Sequence, residues 1–468
     1  ERPVRSPIDG KPIGRVREAV AATASTAMTA AQSGFAAWSA TELETRAQML
    51  ERASDILEAR RGTLIGLLQA EAGKTLDDAL AEVREAVDLC RYYALEARRS
   101  LEPQALPGPT GESNELRYRG RGIFVCISPW NFPLAIFLGQ VTAALAAGNA
   151  VVAKPAQQTP LIASEAVRIL HAAGTPAAAL HLVPGDGKTG AALVADARVG
   201  GVAFTGSTAV AREINRVLAA QDAAIVPLIA ETGGINPMIV DATALPEQVT
   251  DDVIASAFRS AGQRCSALRL LCVQEDVADR LIEMVAGAAR ELALGDPRDP
   301  ATHVGPVIDA EAKANLDRWI AAREREHRVL FRWDAFKPLP ATGTYVSPAI
   351  VTLDRASDLK EEVFGPILHV VRWRAEELDR LLDDIALSGY GLTLGIHSRI
   401  DATVEHIAAR LAHGNIYVNR NMIGAVVGTQ PFGGTGLSGT GPKAGGPNYL
   451  RRFANERGNA SLLAAGED

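Results

Sequence analysis

The sequence has few cysteines, few aromatic residues, no block of basic residues and no long apolar run. Each shortage excludes a class of protein. Four cysteines in 468 residues, none in C-x-x-C spacing, cannot build a disulfide scaffold. The eight histidines include no H-x-x-x-H pair, so no metal site is expected. Lys+Arg total 48 against 55 Asp+Glu, a net charge of −7, and no cationic cluster of the kind that holds nucleic acid is present. No apolar stretch approaches the ~20 residues of a membrane span, and the opening ERPVRSPIDG is not a signal peptide. The expectation is a soluble α/β protein of a reducing, cytoplasmic compartment. At roughly three times a ~150-residue domain, it is long enough for two or more domains.

The first hundred residues read as helix. Met49, Leu50, Ala53, Ile56, Leu57, Leu64, Leu67 and Leu68 recur at three and four within Thr45–Ala72, with Gly73 placed to stop the helix. A second amphipathic stretch runs from Leu76 to Arg98. Leu101–Arg121, rich in proline, glycine and alternating charge, reads as a loop or exposed hairpin. From Gly122 short apolar runs (IFVCIS, AVVAK, HLVP, GVAF, IVPLIA) alternate with helical stretches near Ala135, Leu161, Lys188 and Ala209, the rhythm of βαβ units on a parallel sheet. A second alternation follows Glu231. Its strands are INPMIVD, LRLLCVQ, HRVLFRW, ILHVVRW, LTLGIHS and NIYVN. Its helices are Val249–Ala261, Asp276–Leu292, Ala310–Glu326 and Ala402–Leu411.

Six segments hold the residues suited to chemistry: SPWNFP (128–133), AKPAQQTP (153–160), FTGST (204–208), ETGG (231–234), AGQRCSALR (261–269) and EEVFGP (361–366). Cys265 lies in a polar setting after a predicted helix, whereas Cys90, Cys126 and Cys272 lie in apolar periodic runs as inert cysteines do. A reactive thiol needs a lowered pKa, from a cation or a helix N-terminus. Asn131, beyond a strand end, could aim an amide at a developing oxyanion or simply form a turn. Glu231, at a strand end beside glycines, suits a general base or a capping ion pair equally. Gly206-Ser207 opens a helix whose free N–H groups suit a diphosphate. PGDGKTG (184–190) is not a P-loop, because Leu182 stands where that motif requires glycine.

Together and in this order, the WN pair, K-P-A, FTGST, ETGG, GQRC and EEVFGP resemble the aldehyde dehydrogenase superfamily along essentially the whole chain. FVCISPWNFPLAIFLGQ, NRNMIGAVVGTQPFGG and LSGTGPKAGGP are most similar to the L-glutamate-γ-semialdehyde (pyrroline-5-carboxylate) dehydrogenase part of bifunctional proline-utilisation proteins. The resemblance implies two Rossmann-type α/β domains plus a β oligomerisation flap. It assigns 1–100, 122–230 and 433–446 to an NAD-binding domain, 231–432 to a catalytic domain, and 101–121 with 447–468 to the flap.

It further implies NAD-dependent oxidation of the semialdehyde to glutamate, with Cys265 as nucleophile, Asn131 as oxyanion donor and Glu231 as base. Pro129, Trp130, Lys154, Gln157, Gly206, Ser207, Glu362 and Phe364 would hold NAD. Lys154 would lie at the adenosine ribose, where Gln157 replaces a glutamate common among relatives, which leaves the exclusion of NADP open. Ser266, Gly424 and Ala425 would cradle the substrate carboxylate, Phe132 and Phe432 its aliphatic chain, and Glu85 its amino group. The implied partners are a second or further copy of the chain and a proline dehydrogenase domain or protein. Oxidation of another aldehyde, or a non-catalytic relative, are the alternative readings.

Overall fold

The apolar runs after Gly122 pair edge to edge. In the computed structural model, which describes residues 1–334, 339 and 341–462, five parallel strands lie in the order Leu180–Leu182, Ala150–Lys154, Ile123–Ile127, Val199–Gly206, Leu228–Thr232. Both faces are covered, which is why these strands are continuously apolar rather than alternating. Helix Ala135–Ala146 packs Phe137, Leu138 and Val141 on one side, and Ala21–Ala40 brings Ala24, Met28 and Ala31 to the other. The second alternation makes a seven-stranded sheet over a separate core of Leu, Ile, Val and Trp side chains. Its order is Val329–Arg332, Ala349–Thr352, Ile367–Trp373, Leu268–Gln274, Asn236–Val240, Thr393–His397, Asn415–Val418, with only the first strand antiparallel.

Three expectations need correction. The N-terminus is not helical: Arg2–Arg5 and Pro12–Val16 pair as a hairpin, turned at Gly10 with φ +72°. The helix expected over Thr45–Ala72 is two, Leu43–Ala59 and Arg61–Ala72, broken at Arg60, whose side chain pairs with Glu165. Leu57 and Leu64 are both fully buried across the break. Seven residues are close to two turns, so the apolar stripe keeps its phase and hides the interruption. The helix expected over Val249–Ala261 stops at Phe258, with consequences for the site. Gly73, by contrast, ends its helix as expected, with φ +65° and its N–H bonded to the Gln69 carbonyl.

The stretch 101–121 forms strands Gln104–Leu106 and Glu112–Gly120, and the second of these pairs antiparallel along its whole length with Ala454–Leu462. Leu462 is 83% exposed, and the strand that carries it has no core behind it beyond Ala454. Residues 463–468 of the expected arm lie outside the described residues. No described helix is long and apolar enough to cross a membrane.

Candidate active site

Parallel sheets bind ligands beyond the carboxyl ends of their strands, where successive crossovers run in opposite directions. In the five-stranded sheet this point lies between Ile123–Ile127 and Val199–Gly206. SPWNFP leaves the first of these strands and Ser207 the second, while Lys154 and Glu231 lie at or near the ends of two others. Four of the six segments therefore share one edge.

The cysteine loop reaches that edge from the other sheet. After Phe258, Ser260, Ala261 and Gly262 have φ of 55°, 53° and 66°, three consecutive left-handed residues. Such a backbone costs a non-glycine residue roughly 1–2 kcal/mol, so it must be held. Ser260 Oγ donates to Asp78 (2.8 Å), and a Cβ at Gly262 would lie 2.1 Å from the Gly365 carbonyl oxygen. Asn236, fully buried, donates to the carbonyls of Cys265 (2.6 Å) and Ala267 (2.8 Å). Arg269, also fully buried, donates to the carbonyls of Gly262 (2.6 Å), Arg264 (3.0 Å) and Gly365 (3.3 Å) and to Glu362 (3.4 Å). Removing that cation would leave three carbonyls and a carboxylate uncompensated. Arg269→Met is therefore expected to lose about 3–5 kcal/mol in urea unfolding. A loss under 1 kcal/mol would show that the loop is held by other contacts.

Cys265 is partly open to a cleft of about 970 Å³, mouth included. Its thiol is pushed up to about 12, first by burial and then by the carboxylates of Glu362, Glu231 and Glu85. The lowered pKa expected of a nucleophile is thus not a property of the free chain. The adjacent cation, Arg264, is already paired with buried Asp78 (2.7 Å), and Arg259 also contacts that aspartate (3.1 Å). Glu231 borders the same cleft. Burial raises it to about 8, against the opposing N–H of Gly434 (3.2 Å) and the charge of Lys443, and its Oε1 has no hydrogen-bond partner among the described residues. An unpartnered, protonatable oxygen in a cleft is what a general base requires.

Of the predicted substrate residues, Glu85, Phe132, Ser266, Gly424, Ala425 and Phe432 all line the cleft with Cys265 and Glu231. Gly424 has φ +76°, and neither its N–H nor that of Ala425 donates a hydrogen bond among the described residues. Two free N–H groups side by side make an anion seat. Burial, then Glu82, raises Glu85 to about 7. Asn131 is placed differently. It lines a neighbouring pocket with Trp130 and Gln263, and its Nδ2 donates to the Gln263 carbonyl (3.1 Å). An amide NH₂ carries two donors, so one N–H remains.

The cofactor candidates lie along the same edge. Trp130 packs edge-on to Phe364 (5.5 Å between centroids), and the Arg269 guanidinium lies 4.9 Å from the Phe364 ring. A Cβ at Gly233 would strike the Glu362 carboxylate, so that carboxylate depends on the glycine. Ser207 caps helix Thr208–Ala220 through Val210 N–H (3.4 Å), directly after Gly206. Lys154 is buried, donates to the Pro155 carbonyl (3.0 Å) and is lowered to about 8 by burial. Gln157 is exposed and donates to Glu18 (3.1 Å). Pro129 joins the strand end to Trp130. A buried lysine, a capped helix start and an aromatic pair at a topological switch fit a dinucleotide.

Sequence reading missed Arg264, Asn236, Arg269 and the pair Lys74–Glu82 (2.8 Å). Glu82 accepts from Leu134 N–H (2.8 Å) and Ala135 N–H (3.2 Å) and so fixes the end of SPWNFP. Both arginines stood inside the GQRCSALR segment, and Asp78 and Glu82 share a helix face at i, i+4, but the partners that would have singled them out lie far away in sequence.

With a thiol and a carboxylate on one cleft beside the carboxyl edge of a parallel sheet, the chain belongs to the aldehyde dehydrogenase family, whose family model matches residues 1–457. Bifunctional protein PutA of Escherichia coli K12 is 50% identical over 98% of this chain and 35% of the relative, so the chain spans about a third of that protein. 1-Pyrroline-5-carboxylate dehydrogenase of Geobacillus sp. WCH70 is 37% identical over 94% of the chain and 85% of the relative. Among solved structures, a bifunctional proline utilization A protein superposes with TM-score 0.94 at 65% identity, covering 97% of this chain and 46% of the other. A Thermus 1-pyrroline-5-carboxylate dehydrogenase with bound NAD superposes with TM-score 0.93 at 32% identity, covering 98% and 90%.

Proposed function

We propose that the chain oxidises L-glutamate γ-semialdehyde, the open form of pyrroline-5-carboxylate, to L-glutamate. The carrying observation is the pair of unused N–H groups at Gly424 and Ala425 in the cleft that holds Cys265 and Glu231. In this reading they and Ser266 seat the α-carboxylate, Glu85 meets the α-ammonium, and Phe132 and Phe432 flank the methylenes. Cys265 Sγ bonds to the aldehyde carbon while its proton passes to a neighbouring base. The free N–H of Asn131 and the Cys265 backbone N–H hold the oxyanion. NAD⁺, when bound, supplies the hydride acceptor that converts the hemithioacetal to a thioester. Lys154, Gln157, Gly206, Ser207, Pro129, Trp130, Glu362 and Phe364 would hold it. Glu231 then takes a proton from water, hydroxide adds to the thioester carbon, and the thiolate leaves with glutamate released.

A carboxylate seat left empty by a plain aldehyde predicts discrimination. kcat/KM for the semialdehyde should exceed that for propanal or hexanal by roughly 10²-fold or more. Comparable values in steady-state assays would refute the seat.

The same reading divides the chain into the NAD-binding part (1–100, 122–230, 433–446), the catalytic part (231–432) and the arm built on 101–121 and the tail from 447. The arm's support is its exposed three-stranded sheet, which has no core of its own and suits pairing with another copy. Sedimentation should give a dimer or a dimer of dimers, and a monomer at micromolar concentration would count against the arm. Proline dehydrogenase, the source of pyrroline-5-carboxylate, is the expected neighbour, in the same polypeptide or as a separate protein. A reducing, cytoplasmic setting keeps Cys265 a free thiol.

A further inference from the structure

We propose that Glu18, in the connection between the N-terminal hairpin and the first helix, is the residue that favours NAD⁺ over NADP⁺. This rests on the reading that Lys154 and Gln157 face the adenosine ribose. Position 157 holds a neutral amide, which alone would not repel a 2′-phosphate. The structure places a carboxylate one hydrogen bond away. Gln157 Nε2 donates to Glu18 Oε1 (3.1 Å), and Arg2 Nε donates to the same oxygen (2.8 Å) while its Nη2 holds the Gln157 carbonyl (2.6 Å).

Both bonds fall on Oε1, and Glu18 Oε2 accepts none among the described residues. The residue is tied to the cofactor edge by its neighbour. Ala19 N–H donates to the Pro184 carbonyl (2.7 Å), and Thr189 Oγ1 donates to the Ala19 carbonyl (3.2 Å). Those contacts bring Glu18 to the loop that carries Asp186, and both carboxylates act on the ammonium of Lys154. Hydrogen bonds from Arg2 and then Gln157 keep Glu18 below the usual carboxylate range, so it is charged at neutral pH.

A carboxylate is acceptor-only. A ribose 2′-hydroxyl can donate to it, whereas a 2′-phosphate brings about two negative charges and no proton. The two dinucleotides differ by that group alone, so their affinity ratio isolates the effect. Arg2 partly neutralises the carboxylate, and removing either residue should therefore move the ratio in opposite directions. A merely structural ion pair would move it the same way in both variants.

The test is binding without turnover: dissociation constants of NAD⁺ and NADP⁺ for the full chain by tryptophan fluorescence or calorimetry. Glu18→Gln should lower the NADP⁺/NAD⁺ Kd ratio about tenfold, and Arg2→Gln should raise it. The wild-type ratio should fall with added salt, which tests the charge effect even if a variant folds poorly. A ratio unmoved by Glu18→Gln, a shift in the same direction for both variants, or a salt-independent wild-type ratio would each overturn the proposal. Wild-type protein that binds neither dinucleotide would instead defeat the cofactor reading itself.

Discussion

Cys265→Ser is expected to lower semialdehyde-dependent NADH formation roughly 10⁴-fold or more while leaving the fold intact. Serine is close in size to cysteine, and position 265 is partly open, so no core contact is lost. The other three cysteines are buried in apolar cores and cannot substitute. The free chain also has a recognisable thiol chemistry. A group held at about 12 is ionised at pH 8 in roughly one molecule in 10⁴. Alkylation by iodoacetamide should therefore rise about tenfold per pH unit through the neutral range. A plateau below pH 9 would mean that the thiol is already activated. Turnover undiminished by the serine variant would remove Cys265 from the mechanism.

Glu231→Gln is expected to separate the two half-reactions. Hydride release precedes the need for a base toward water, so the variant should give a burst approaching one NADH per site. Steady turnover should then be slower by roughly 10²–10⁴-fold. The pH dependence has a definite sign. Burial raises Glu231 to about 8, so the base form dominates above that value and is lost as pH falls through it. Thioester hydrolysis should drop about tenfold per unit below pH 8 in the wild type and lose this slope in the glutamine variant. A burst absent from the variant, or an unchanged slope, would assign the base elsewhere.

The parallel sheets were legible because strands buried on both faces spell continuous apolar runs bounded by turn residues. IFVCI, AVVAK and GVAF all became strands, and the helices between them began within a residue or two of the expected places. Short elements were not legible: the four-residue strand Ala349–Thr352 and the nine-residue helix Leu378–Ala386 passed unnoticed. The candidate site divides similarly. The candidate reactive residues were visible as candidates because they lie in distinctive segments. The residues that hold them were not, because their partners are distant in sequence. Asp78 meets Arg264 across 186 positions, and Glu82 meets Leu134 across 52. The left-handed run at Ser260 and Ala261 was hidden for another reason. Neither residue type favours that conformation, and tertiary contacts impose it.

The glycine-rich tail joins three tasks along one short stretch of backbone. Gly434 N–H bonds Glu231, Phe432 and Ala444 bond each other across the cleft wall, and Ala454–Leu462 continues into the arm. Removing the chain from Thr429 onward would thus open the cleft and free Glu231 as well as deleting the arm. A proteolytic nick there would act as an inactivating cut even though it lies far along the chain from Cys265. Any pull on the arm strand Ala454–Leu462 would therefore be passed back along the chain to Phe432 and Ala444 at the cleft.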